Sequence, residues 1–474
     1  MPIETPIPTW RRVLAYLTVG TMAINWNVEK LLHFKDKHYL SPLLPLLLIL
    51  LPLTIYDAVT RSRRVDPKSF SFPPLPSLIW AALALISCLW IAKFPGGETG
   101  KAWLRGAQGA LIFGLLAVWV FQNIARDPAE YRKLALIVGI SAGACLLLAL
   151  RQYVGPMGIP FDPSHKDQDL GGATNVRLGG WYDFRGTLGA LTAMIGPAAV
   201  AYAILDRDSA VRSVSFCVAG LSLLVTLFAG GLLGATAGII AVIGALAAVR
   251  SWRAALVALI FLLFILTVML PRLPRDNPHA IAEGVALYVN DPNDVNAMKV
   301  PSARLRRYQA VTDLLFAHSD PNEPNSAPFW KKGVGSGQYQ SKVNSFYQAP
   351  YDKPGSTTDE EAAFGIFVDE PTTFGLLETV VVELGVPGLI VVLLLFACWI
   401  AAAAGAFSKL YSNTTRDEAT LALAALGAGV GALVLSVFGN PVAHGPGGVF
   451  AFFFAVALCA QRWSTVTKPE PASA

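Results

Sequence analysis

Polar and apolar positions along this chain come in long blocks. Apolar runs of the length that crosses a bilayer as a helix, roughly 17–25 residues, recur from one end to the other, with one long polar interruption. They predict helices over 11–28, 40–60, 76–93, 102–125, 133–155, 186–205, 212–229, 231–249, 253–271, 376–405, 418–439 and 446–462. A spanning β-barrel would show alternating segments of about ten residues, and the sequence has none. The pattern predicts an all-α membrane protein with about twelve transmembrane helices and one large outward loop region containing short amphipathic helices. The blocks divide the chain into 1–155 (helices one to five), 156–271 (an outward loop and helices six to nine), 272–373 (the large loop region) and 374–474 (the last three helices and a tail).

Composition agrees: 54% hydrophobic against 15% charged residues, with a mean hydropathy of +0.50, lies far from a soluble domain. Charge then sets orientation. Arg11 and Arg12, Arg61 to Arg64 with Lys68, Arg126 with Arg132 and Lys133, Arg207 and Arg212, Arg250 and Arg253, Lys409 and Arg416, and Arg462 fall on alternate connections. Basic residues mark cytoplasmic loops, so both termini are expected inside, with 156–185 and 272–373 outside. Lys30, Lys35 and Lys37 run against this rule. The net charge of +5 is spread over these inner loops and reads as topology, so membrane lipids are expected partners and nucleic acid is not. The N-terminus lacks the pattern of a cleaved signal peptide, which leaves the first helix as an expected anchor. All five cysteines fall in predicted helices, which argues against disulfides. The six histidines are scattered over outward connections without metal-ligand spacing; no metal or cofactor is expected.

Candidate chemistry concentrates on the outward side. In RLGGWYDFRGTLGALTAM, Arg177 and Arg185 with Trp181, Tyr182 and Phe184 run directly into an apolar helix. Guanidinium stays charged and grips phosphate through paired hydrogen bonds, whereas an arginine among aromatics at a helix end also suits plain interfacial anchoring. In SARLRRYQAVTDLLFAH, Leu305, Tyr308, Val311 or Thr312, and Leu315 recur at helical spacing. They predict an amphipathic helix at the membrane surface whose basic end holds Arg304, Arg306 and Arg307. Downstream, WKKGVGSGQY carries Gly333 and Gly335 in a turn that offers backbone N–H groups to phosphate, although it lacks the Walker Lys-Ser/Thr pair. Arginines on two outward loops beside apolar helices suit a lipid-linked diphosphate, a good leaving group where positive charge waits for it. Transfer of a glycan from a polyprenyl diphosphate carrier follows as one reading. A transporter or flippase that binds the same phosphate without breaking a bond is the other, although no internal repeat of the transporter kind is evident.

Three segments add a resemblance. NVRLGGWYDFRGTLGALTAMIGPAA, SARLRRYQAVTDLLFAHSDP with GVGSGQY, and TTFGLLETVVVELGVPGLI resemble, in order and spacing, the signatures of the O-antigen ligase and polymerase superfamily. That resemblance covers about 175–395. It implies a bacterial inner-membrane glycosyltransferase acting at the periplasmic face. Arg177 and Arg304 would activate the donor diphosphate, and attack by an acceptor hydroxyl would invert the anomeric carbon without a metal. The acceptor would be lipid A core for a ligase, or a second carrier-linked glycan for a polymerase. The sequence departs from the family where a His-Asn pair precedes the third segment: Thr372 to Phe374 contain no histidine. A general base must lie within hydrogen-bond reach of the attacking hydroxyl, and Glu370, beside Asp369, is the nearest substitute in sequence; His444 is a second. Arg185, Trp181, Tyr182, Tyr308, Gly333, Gly335 and Glu383 are the expected substrate-binding residues, Arg185 standing where relatives more often have Pro-Asn. Glu378 and Glu383 sit at or inside an apolar span, where ionisable groups are costly. Glu383, part of the Glu-x-Gly pattern, suits a structural hydrogen-bonding role near the pocket.

Overall fold

The computed structural model describes residues 9–22, 43–62, 71–91, 107, 109–125, 127–154, 185–229, 231–269, 310–317, 328–343, 375–412, 416–437, 439–442 and 444–466. They fold into helices joined by turns: α1 (Thr9–Gly20), α2 (Leu43–Ser62), α3 (Leu75–Ile91), α4 (Gly109–Asn123, wound more widely over Gly109–Ala117), α5 (Pro128–Val154), α6 (Arg185–Leu205), α7 (Ser209–Ala229), α8 (Leu232–Ala248) and α9 (Trp252–Met269). Two short helices, α10 (Phe329–Lys332) and α11 (Tyr339–Val343), precede α12 (Leu376–Ser412), α13 (Arg416–Leu435) and α14 (His444–Val466). Among the described residues, six helices are long and apolar enough to cross a membrane, over Pro128–Leu150, Leu188–Leu205, Ser209–Thr226, Leu376–Ser412, Asp417–Leu435 and Pro446–Thr465. The other six predicted spans also hold described helices, α1 to α4, α8 and α9. The protein is thus helical and built for a bilayer, where a helix satisfies its own backbone hydrogen bonds.

The middle of the bundle is dense because its contacts are small. On α6, residues 188–202 are buried throughout, and α13 is buried over 419–429. A Cβ on Gly431 would come within 2.1 Å of the Ala193 carbonyl oxygen, and one on Gly238 within 2.4 Å of Pro197. Such small residues let helices approach closely where water supplies no hydrophobic drive between them. Around this centre Trp399 of α12 stacks on Phe454 and meets Phe450 of α14 edge-on, while its indole N–H donates to the Ala425 carbonyl of α13 at 2.9 Å.

One end of the bundle is stitched by charge. Arg12 pairs with Glu130 at 3.0 Å, Arg207 meets Asp417 at 3.6 Å, and Arg132 grips Asp206 through Nε at 2.8 Å and Nη2 at 2.7 Å. Asp127 and Asp208 cap the first turns of α5 and α7, accepting from the N–H groups of Glu130 and Ala210. These contacts gather the starts of α1, α5, α7 and α13 and the end of α6 at one level. Arg12, Arg132 and Arg207 are three of the basic residues that charge alternation groups together in the sequence.

Candidate functional site

The opposite end of the bundle is organised by a break in α12. Its 37 residues span about 55 Å at 1.5 Å per residue, longer than a hydrocarbon core of about 30 Å. Gly385 interrupts it with φ +71°, and Pro387 follows two residues later. In an unbroken helix the Val382 and Glu383 carbonyls would accept from residues 386 and 387. Proline has no N–H, and the turn at Gly385 removes the regular geometry before it. Two carbonyls are left to find donors elsewhere, as buried backbone groups must.

The GVGSGQY turn supplies them. The Val334 N–H donates to Val382 O and the Gly335 N–H to Glu383 O, each at 2.9 Å. Approach this close excludes a side chain: a Cβ on Gly333 would sit 2.2 Å from Glu383 O, and one on Gly385 would sit 2.8 Å from Trp330 O. Both glycines also adopt positive φ, a region disfavoured for other residues. Along the turn, the Gly333 N–H donates to Phe329 O, Ser336 N–H to Ser87 Oγ of α3 at 3.1 Å, and Gln338 N–H to Gly335 O. The N–H groups of Gly337 and Tyr339 donate to the buried Glu383 carboxylate. The Tyr339 hydroxyl donates to Glu378, also buried. Every backbone N–H from 333 to 339 is therefore engaged by the protein itself. The phosphate contact expected of Gly333 and Gly335 gives way to a docking contact, because the kink in α12 already needs those donors.

The helical segment 310–316 joins the same assembly. Ala310, Val311 and Leu314 pack with Val334, Tyr339, Val343 and Val382, and the Phe329 N–H donates to Ala317 O. The expected amphipathic face is present, with Val311 inward and Thr312 exposed. It is covered by the chain's own turn and by α12, so that part of the segment is not a free surface for lipid headgroups. Trp330 is exposed, with the Lys331 ammonium 5.4 Å from its ring. The start of α12 is tied inward: a Cβ on Gly375 would lie 2.4 Å from Val437 O, and the Leu377 N–H donates to Ser436 O. One residue earlier, Leu435 packs with Ala190 and Ala193 of α6. The second and third resembling segments thus meet directly, and the end of α13 links them to the helix opened by the first.

Among the predicted site residues, Gly333, Gly335 and Glu383 come together in this assembly. Arg185 is the first residue of α6, with its side chain outside the described residues. Arg177, Trp181, Tyr182, Arg304, Tyr308 and Glu370 also lie outside them, and so does the side chain of His444. Sequence reading did not assign Tyr339, Ser87 or Gly385 to the site. The available signal was Gly-x-Pro inside an apolar run, which announces a broken helix and donor-seeking carbonyls. Thr379 is a further feature: its hydroxyl is buried without a hydrogen-bond partner among the described residues, whereas the buried hydroxyl of Thr54 bonds back to its own helix. Comparison with models of known families and with curated proteins finds no match to this chain.

Proposed function

We propose that this chain crosses the bacterial inner membrane about twelve times, the count of apolar runs by length, with its ion-paired end in the cytoplasm. In this reading it is a glycosyltransferase of O-antigen ligase type. It moves a glycan from a polyprenyl diphosphate carrier to an acceptor hydroxyl, lipid A core, at the periplasmic face. The observation that carries the proposal is the locking of 310–316 and the GVGSGQY turn onto the first residues of α12. These segments are distant in sequence and each resembles the same family, and they meet at the bundle end where α6 begins. Arg304 precedes residue 310 by six positions, Glu370 precedes Leu376 by six, and Arg177 precedes Arg185 by eight. At no more than about 3.6 Å per residue, chain length alone keeps all three within about 30 Å of described residues at that end.

In the reaction the acceptor oxygen attacks the anomeric carbon as its bond to the carrier phosphate breaks. The electron pair leaves with the diphosphate, which Arg177 and Arg304 neutralise, and Glu370 takes the acceptor's proton. Charge stabilisation of this kind is commonly worth 10²–10³-fold in rate per donor. The test is the profile of surface and carrier-linked glycans in a strain lacking the gene, complemented with wild type, Arg177→Ala or Arg304→Ala at matched membrane abundance. Polymerised glycan stranded on its carrier, rescued by wild type and not by either variant, is expected. Collapse of the ladder to single repeats would reassign the protein as the polymerase of the same superfamily. An unchanged profile, with flipping of a lipid-linked substrate in liposomes and no covalent product, would replace the enzyme with a transporter.

A further inference from the structure

We infer that Trp330 and Lys331 form a bilayer contact, through which the turn docked on α12 rests on phospholipid head groups at that end of the bundle. The exposed face of α12 leads to it. Beyond the break, Pro387, Ile390, Leu394, Ala397, Ala401 and Ala404 are exposed at helical spacing, and the row ends at the exposed polar pair Ser408 and Lys409. Ser408 lies 21 positions after Pro387, about 32 Å along a helix at 1.5 Å per residue. That matches the thickness of a hydrocarbon core, about 30 Å. An exposed apolar stripe of this length, on a helix apolar enough to cross a membrane, is its lipid-facing side. Pro387 therefore marks one boundary of the core and Ser408 the other.

The stripe stops where the turn begins. No residue from 375 to 385 is exposed, since Val334 and Gly335 cover Val382 and Glu383, and the end of α13 covers Leu377. Outward of Pro387, the surface beside α12 is thus made by the docked segment. Trp330 is the part of that segment that meets the break: a Cβ on Gly385 would sit 2.8 Å from Trp330 O and 2.9 Å from Lys332 N. Gly385 is two residues, about 3 Å, beyond Pro387, inside a head-group region that extends about 5–7 Å past the core. At this depth the two exposed side chains have complementary uses. Trp330, 36% exposed, joins an apolar ring to an N–H, which is why indoles gather at the membrane boundary. The exposed Lys331 holds its ammonium 5.4 Å from that ring, within cation–π range. A charge able to bind lipid phosphate is thereby kept at the level of the indole. Phe316, 68% exposed, is close by, one residue before Ala317, whose carbonyl accepts from the Phe329 N–H. The contact holds the turn from the lipid side as Val382 and Glu383 hold it from α12, and it is independent of any transfer chemistry.

The experiment is fluorine NMR on the full-length protein, with its eleven tryptophans labelled as fluorotryptophan, in nanodiscs of synthetic phosphatidylcholine and phosphatidylglycerol. Trp330→Phe identifies the Trp330 resonance by its loss, and Trp330→Tyr does so if the first variant does not fold. A nitroxide on the lipid head group should broaden this resonance at least about threefold more than a nitroxide at the middle of an acyl chain or a gadolinium chelate in water, as a ring at the membrane boundary requires. Lys331→Glu, which sets like charge against phosphate, should lower the head-group effect at least about twofold. Strongest broadening by the chelate overturns the contact and leaves Trp330 facing water. Strongest broadening by the acyl-chain nitroxide overturns it by placing the ring inside the core. A resonance untouched by all three means that protein, such as a second copy of the chain, covers the ring, and this too overturns the contact. A head-group effect unchanged in Lys331→Glu overturns phosphate as the partner of Lys331.

Discussion

The two ends of this bundle are held by different chemistry. At one, short connections are clamped by side-chain charge, with Arg132 forked onto Asp206 and Arg12 and Arg207 reaching Glu130 and Asp417. At the other, backbone meets backbone across glycines, and the two carboxylates described there, Glu378 and Glu383, receive a phenol and two backbone N–H groups. Charged clamps reach across gaps and tolerate small shifts, because the side chains that make them are long. Direct backbone docking suits an end where long connections must be brought to a defined place, because it fixes position with almost no slack.

That contrast is open to direct attack. The largest effect is expected from Asp206→Asn, which leaves a guanidinium without its buried partner and should cost about 3 kcal/mol of stability. Thermal unfolding in detergent reports it, and the transfer proposed above should persist in the folded fraction. Gly333→Ala should cost about 2 kcal/mol, as overpacking against backbone does, with accelerated amide exchange confined to 310–316 and 333–343. Global loss of protection instead would mean that the turn supports the whole bundle. Tyr339→Phe should cost about 1.5 kcal/mol, the value of a hydrogen bond to a charged group, and combined with Asp206→Asn it should be additive within about 0.5 kcal/mol. A larger coupling would show that the two ends communicate. Arg12→Ala should change stability by less than about 0.5 kcal/mol, because Arg12 is 45% exposed and such pairs contribute little. A loss comparable to that of Asp206→Asn would make the charged end a cooperative network.

Much of the helical plan was legible along the chain because apolar length is a local property. Each of the twelve predicted spans contains a described helix, and α6, α7 and α14 begin within three residues of expectation. Charge on short connections can likewise be read one loop at a time, and three of the basic residues so grouped, Arg12, Arg132 and Arg207, form ion pairs at one end of the bundle. The site was legible only in fragments. Gly333, Gly335 and Glu383 were picked out individually, but the turn reads as a phosphate cradle until its donors are seen to be engaged. Ser87 lies 249 positions from Ser336, the residue whose N–H it receives, and no local pattern announces such a pairing.

The sequence by itself determined that this chain is helical and membrane-built and where its basic connections fall; it read 376–405 as one helix, although Gly385 and Pro387 there carry the signal of a break. Only the tertiary structure decided what repairs the break. Val382 and Glu383 present carbonyls that any donors could satisfy, and the choice of Val334 and Gly335 depends on a backbone approach that Gly333 and Gly385 alone permit. Hydropathy and helix breaking act between neighbours in the chain, whereas steric fit between two backbones exists only once both have been folded into place.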